Sequence, residues 1–454
     1  MPNSRLDSPP GPLPAALAAC GALALVSLLA PIEPLYDPWA WLVWGRELAG
    51  LDLDTSAGPS WKPLPPLILA PLSAFGDWTP DLWLAIARTA WLAVPVLAFR
   101  LASRLQGEGG TPAALAGGAA ALGAVLIADD FTSWLRQGAG GLAEPALAAL
   151  VLGAIDAHLS GRRRLALGLA LAACLVRPEA WPFAALYAWR EVRSGTIDAR
   201  AAVAAAALVA ALWFVPDLVG AGDPLEGASR ARGADNSPFE VLGWAAEMPL
   251  AALWAGVVLA VWPWRGRLSP PAGLLAAASG TWIVLVAAMA GAGYAGLPRF
   301  MAPSAVVLGA VGAAGLVRAA RAGPGWALAA AAAALAFGVQ AGVRAADIPD
   351  EVDRIRADSD TLAALAELAD SQPAAFTGCG GLWTSDFLTH TPLAWHLDLA
   401  LGEIVTTGTV APPDGRLVVN PSGKPALAAR MESDGEPVTS GHEWVVFGTG
   451  SCAP

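Results

Sequence analysis

Charge is what this sequence has least of. Of its 454 residues only 14% are charged, against about 25% in a typical soluble chain, and 56% are hydrophobic. The mean hydropathy is +0.52. These values exclude a water-soluble enzyme. Lysine is nearly absent, with Lys62 and Lys424 alone among 27 basic residues. A formal charge of −11 excludes a basic nucleic-acid binder. Four cysteines and four histidines are too few and too scattered for a disulfide framework or a zinc cluster. No Walker loop, dinucleotide fingerprint or nucleophile elbow occurs.

What is present in quantity is apolar chain. Stretches near the 17–25 residues needed to cross a bilayer recur at roughly 12–31, 80–104, 113–129, 142–160, 165–178, 180–192, 200–216, 243–263, 270–291, 300–318 and 326–344. This pattern predicts an all-α polytopic membrane protein of about eleven transmembrane helices. The fifth and sixth are short and read as a hairpin turning at Arg177-Pro178-Glu179. Arginine collects in alternate segments (Arg100, Arg104, Arg162 to Arg164, Arg190, Arg193, Arg318, Arg321) and the acids collect in the others. The positive-inside rule then puts the N-terminus inside. The stretch 64–75 is too short to count and reads as a juxtamembrane or re-entrant piece. The first apolar run continues to Ala30 without a small-residue cleavage pattern and reads as a signal anchor.

Composition changes after residue 345. Residues 346–454 alternate short apolar runs with Gly and Pro turns and predict a small α/β domain, apart from the membrane part, 1–345. They hold 16 acids and 5 basic residues, which accounts for the whole net charge. An odd number of crossings places this domain outside the cytoplasm. Cys379 and Cys452 both lie there, where a disulfide between them or two free thiols are the alternatives.

The long outer loop, 32–79, carries the densest chemistry. Trp39, Trp41 and Trp44 suggest a helix lying in the membrane interface with its indoles at headgroup level. Asp37 has two readings. A carboxylate at the membrane surface can take a proton from an incoming nucleophile, or it can cap the helix that follows. Basic residues on the outer side are few: Arg46, Lys62, Arg136, Arg177, Arg230, Arg232 and Arg299.

The order Asp37, then Arg46-Glu47, then Lys62-Pro63-Leu64 resembles the first periplasmic loop of the GT-C membrane glycosyltransferases. The branch is that of the lipid A aminoarabinose transferases and protein O-mannosyltransferases. Three further segments resemble the family: Ala143-Glu144-Pro145, Val176-Arg177-Pro178-Glu179, and Pro298-Arg299-Phe300-Met301-Ala302-Pro303. Pro38 stands where the family has a second acid, and Leu64 where it has a second proline.

The resemblance implies a GT-C-like fold and an enzyme of the cytoplasmic membrane, with its active site and tail extracytoplasmic. Such an enzyme moves a sugar from a polyprenyl-phosphate donor to a glycan, lipid or protein acceptor in cell-envelope assembly. Asp37 is then the general base, with Glu144 and Asp130 as further acids. Lys62, Arg299, Arg177 and Arg46 become donor-phosphate ligands, with a snorkelling anchor as the other reading of Lys62 and Arg299. Asp223, Arg230 and Arg232 sit on a candidate substrate loop. The resemblance fixes no cofactor, and Asp129 and Asp130 are candidate ligands for a divalent cation, Mg or Mn. Nucleic acid is not an expected partner. A transporter or flippase, or a catalytically silent scaffold, are the alternatives from other classes.

Overall fold

The structure, a computed structural model, describes residues 13–107, 109–129, 132–233, 236–262, 270–408, 410, 412, 414–434 and 437–452. The chain is mostly helical with one small sheet near its C-terminus. It divides into two units, one of residues 13–27, 85–212 and 231–351, the other of residues 28–84, 213–230 and 352–452.

The first unit is built around the helix Ala302–Ala320, sixteen of whose nineteen residues are buried. A helix apolar on every side has no solvent face and becomes a core. It lies against Ala251–Val261 at backbone contact. A Cβ on Gly256 would sit 2.0 Å from the Gly312 carbonyl oxygen, so only glycine permits this approach. Proline stands in the first turn of many helices, including Thr111–Val125, Trp181–Arg193, Pro238–Glu247, Ala302–Ala320 and Pro324–Ala346. There its missing N–H leaves no helical bond unmade.

Among the described residues, five helical stretches are long and apolar enough to cross a membrane: Leu64–Leu105, Ala199–Gly220, Pro270–Gly291, Pro298–Ala320 and Pro324–Ser371. Several of the other expected spans are shorter helices. Leu13–Ser27 and Thr111–Val125 have 15 residues each, or about 22 Å of helix. The expected span 243–263 is broken. Pro238–Glu247 and Ala251–Val261 meet at 92°. Pro249 lies in the break and cannot donate a helical hydrogen bond. The carbonyls exposed there are met by Arg344, whose guanidinium donates to Glu247 O at 2.6 Å and Met248 O at 2.9 Å.

In the second unit, the tryptophan helix Tyr36–Gly50 packs closely on Leu64–Leu72, where a Cβ on Gly45 would meet the Leu69 Cβ at 2.6 Å. Its indoles are not at a surface. Trp39, Trp41 and Trp44 are at most 2% exposed. Trp39 packs on Trp395 and His396, Trp41 on Trp83, and Trp44 on Trp61. This corrects the expectation of an interfacial belt. The sequence shows an aromatic stripe but not the distant aromatic residues that cover it.

The sheet has the order β2-β1-β3-β5-β4, with β1 Gly381–Thr384, β2 Ile404–Thr406, β3 Gly415–Val419, β4 Pro437–Gly441 and β5 Trp444–Thr449. β1 runs parallel to β2 and β3, while β5 is antiparallel to β3 and β4. Leu417, Val419 and Phe447 form its core with Leu427, Ala428 and Met431 of the helix Pro425–Asp434. A disulfide joins Cys379, just before β1, to Cys452, just after β5, with Cα atoms 5.7 Å apart and a sequence separation of 73. Closing a loop of that length restricts the unfolded chain by about 4 kcal/mol. Replacing both cysteines by serine is therefore expected to lower the denaturant midpoint of the sheet region in the full-length protein. An unchanged midpoint in far-ultraviolet circular dichroism would contradict this.

Candidate active site

Two groups of charged side chains stand out, one in each unit. In the second unit, Asp37 lies in the first turn of the tryptophan helix, and the N-cap residue is Leu35 with no side-chain cap. The capping reading of Asp37 is thereby replaced. Its Oδ2 is 2.8 Å from Lys62 Nζ, and both side chains are largely buried. The ammonium also lies 5.1 Å from the Trp41 ring centroid. Lys62 is held by the carboxylate and the indole face together, a combination the sequence reading split between base and phosphate ligand.

The loop after the tryptophan helix is tied down from both sides. Glu47 Oε2 accepts the Asp54 N–H at 3.0 Å, and Trp44 Nε1 donates to Asp54 O at 2.9 Å. Arg230 donates to Ala57 O at 3.0 Å and to Thr55 O, and pairs with Glu226 at 2.9 Å. Asp223 accepts the Leu225 N–H at 2.9 Å as a local turn cap. Arg230 and Asp223, expected on a substrate loop, thus hold backbone in place.

Arg46, expected at the phosphate, is turned to the end of the helix Phe387–His396. It donates to Trp395 O at 3.3 Å and Leu399 O at 2.8 Å, and pairs with Asp398 at 2.7 Å. An arginine on the last carbonyls of a helix satisfies acceptors that lack intrahelical donors.

The first unit holds Glu144, Arg177, Glu179 and Arg299 together. Each lies at or just before a helical start. Glu144 is in the first turn of Ala143–Leu159, Arg177 and Glu179 precede Trp181–Arg193, and Arg299 precedes Ala302–Ala320. Arg177 grips Glu179 with two hydrogen bonds, Nε to Oε2 at 3.1 Å and Nη2 to Oε1 at 2.5 Å. Its guanidinium lies 3.3 Å from the Phe300 ring centroid. Glu144, fully buried, is 3.6 Å from Arg177 Nη1 and 3.7 Å from Arg299 Nε. Helix N-termini carry partial positive charge, so three of them with two guanidiniums make a field that favours anions. Glu179 and Phe300 complete this group. Their signal in the sequence was adjacency to the Arg-Pro and Pro-Arg motifs.

The remaining expected residues lie elsewhere. Arg232 is paired through its guanidinium with the Tyr294 hydroxyl at 3.0 Å, near the surface. Asp129 accepts from the Thr132 N–H at 3.2 Å and from Gln137 Nε2 at 2.9 Å. Both of its oxygens thus serve donors of the chain itself. Asp130 lies outside the described residues. Among the described residues no three His, Cys, Asp or Glu side chains gather as a metal site.

The backbone matches the crystal structure of ArnT from Cupriavidus metallidurans in the apo state over 95% of this chain and 97% of that one, with a TM-score of 0.57 and 14% identity. ArnT bound to undecaprenyl phosphate matches with the same coverage and identity at a TM-score of 0.56. The likeness is one of fold, and it agrees with the GT-C resemblance of the loop motifs. The fold class is thus a polytopic, all-α membrane architecture. No family model matches, and neither does any curated protein.

Two acids in the loop region are held away from water. Burial pushes the Glu47 carboxyl up to about 7, against the stabilising Asp54 N–H. Burial, reinforced by the charge of Asp81, does the same to Glu33. In the unfolded chain both return to about 4.5. Between these values the unfolded chain has released protons that the folded chain keeps, so stability falls as pH rises from about 4.5 to about 7. Glu47→Gln is expected to flatten that fall, read as the thermal midpoint of purified protein across the interval. A variant with the wild-type slope would refute the assignment.

Proposed function

We propose that this chain is a membrane glycosyltransferase. It moves a sugar from a polyprenyl-phosphate-linked donor to an acceptor at the outer face of the cytoplasmic membrane, in cell-envelope glycan or glycoprotein assembly. The observation that carries the reading is the fold shared with ArnT over 95% of the chain, one structure of which holds undecaprenyl phosphate. The charged groups support it, and each role rests on geometry inside one unit.

In the reaction, an acceptor hydroxyl or amine forms a bond to the anomeric carbon as the bond from that carbon to the phosphate oxygen breaks. The bonding electrons pass to the phosphate. The acceptor's proton passes to a carboxylate, for which Asp37 is assigned, as an inverting displacement requires. Lys62, 2.8 Å away, fixes the orientation of that carboxylate. The negative charge that grows on the leaving phosphate needs preorganised cationic donors. Arg177, held flat by Glu179 and Phe300, and Arg299 supply planar forks suited to phosphate. Lys62 then acts through Asp37 rather than as a separate phosphate ligand. The disulfide in the tail supports an oxidising compartment and so an extracytoplasmic tail.

Purified protein in lipid, supplied with radiolabelled polyprenyl-phosphate sugars, tests this directly. Asp37→Asn is expected to lower transfer by roughly 10²- to 10⁴-fold while the protein remains folded. Undiminished transfer would remove Asp37 as the base. Absence of transfer from every donor, with solute uptake into vesicles, would favour a transporter.

A further inference from the structure

The first unit carries a second, quite different charged surface. The helices Ala143–Leu159, Arg163–Cys174, Trp181–Arg193 and Ala199–Gly220 follow one another, and three contacts tie their adjoining ends together. Arg163 Nη1 donates to Glu191 Oε1 at 3.1 Å and to Oε2 at 3.0 Å. His158 Nδ1 lies 2.9 Å from the Tyr187 hydroxyl. The Thr196 N–H donates to Glu191 O at 3.0 Å and closes the turn before the last of the four. These ends lie away from Glu144, since about 21 Å of helix separates it from His158.

Six arginines belong to this patch, Arg162, Arg163, Arg164, Arg190, Arg193 and Arg200, against two acids, Glu191 and Asp198. Glu191 is fully buried and holds Arg163. Asp198 is turned to the backbone, where its Oδ1 accepts the Arg200 and Ala201 N–H groups at 2.9 and 3.2 Å. The other five arginines are exposed, and their side chains make no ion pair or hydrogen bond among the described residues. Arg162 and Arg164 also flank the start of Arg163–Cys174, whose first turn holds no acid. A helix start carries partial positive charge, so cations gathered there oppose the dipole as well as one another. An external anion would offset both costs.

The neighbouring apolar side chains say which anion. Leu165, Leu186 and Trp189 stand on the same helices and are exposed, and the Arg193 guanidinium lies 5.3 Å from the Trp189 ring centroid. A soluble acidic partner would leave these groups in water. A bilayer boundary takes the indole and the leucines into its apolar side and meets the guanidiniums with headgroups. We infer that this patch binds the phosphodiester headgroups of anionic phospholipid, with the arginines on the phosphate oxygens and Trp189 at the level of the headgroups.

Purified full-length protein in neutral detergent is titrated at low ionic strength with dioleoylphosphatidylglycerol or dioleoylphosphatidylcholine. Retained lipid is read by native mass spectrometry. Wild type is expected to prefer phosphatidylglycerol. Arg162→Gln combined with Arg164→Gln is expected to weaken that binding on the order of 25-fold, or about fivefold for each guanidinium. Should that pair not fold, Arg190→Gln with Arg193→Gln is expected to show the same loss. Arg232→Gln removes one charge beside the Tyr294 hydroxyl in the same unit and is expected to bind as wild type does. Absence of a preference in wild type, or a fivefold loss in Arg232→Gln as well, would overturn the inference. So would displacement of the lipid by an equal concentration of inorganic phosphate, which points to a free-phosphate site, or of hexaglutamate, which points to an acidic protein. None of these outcomes touches the glycosyltransferase reading, whose charged groups lie elsewhere.

Discussion

An ionised side chain shut away from water needs a neighbouring charge, and this chain has few charges to distribute. The arrangement of its interior follows from that constraint. Arg100 and Arg104 converge on Asp156 at 3.1 and 3.2 Å, with all three side chains at most 5% exposed. Lys62 is met by Asp37, Arg163 by Glu191, and Arg177 by Glu179. Carbonyl oxygens serve as well, for Arg344 at the broken helix and, beside Asp398, for Arg46 at the end of Phe387–His396. Such pairs add little net stability compared with apolar packing, but losing one partner strands the other. They therefore fix which helix ends meet.

The same constraint explains how the candidate chemistry is assembled. Charged residues sit beside prolines at helix starts, in Glu144-Pro145, Arg177-Pro178 and Pro298-Arg299. Proline sets the start of a helix, and the start of a helix presents unpaired N–H groups. An acid or an arginine placed there therefore arrives at a helix end, where charge can be accommodated, and not in the middle of an apolar span. The first unit gathers three such ends at one place.

Much of this was legible in the sequence because the signals are local. The apolar runs, the proline-marked starts and the compositional break near residue 346 need only a window of chain. The motif residues Glu144, Arg177 and Arg299 were readable for the same reason, and the structure brings them together. What was not legible depends on distant partners. Nothing around Trp39 reveals that Trp395 will cover it, so a stripe of indoles reads as a membrane surface. Arg46 and Arg230 look like outer cations suited to phosphate until the carbonyls they hold are known. Lys62 and Asp37, 25 residues apart, read as two independent roles because their pairing is set by the return of the loop. Pro249 was visible, but its effect on the span 243–263 depends on Arg344, far along the chain, being there to receive the exposed carbonyls.

The hold of Arg46 on the carbonyls of residues 394 to 399 also has a consequence in time. The donor and its acceptors are 348 to 353 residues apart in the chain. At a synthesis rate of about 5–20 residues per second, roughly 20–70 seconds separate the emergence of the tryptophan helix from that of the segment that covers it. Through that interval the Trp39 indole and the Arg46 guanidinium are made but lack their final neighbours. The early loop stays unfinished until residues 394 to 399, in the last quarter of the protein, have been made.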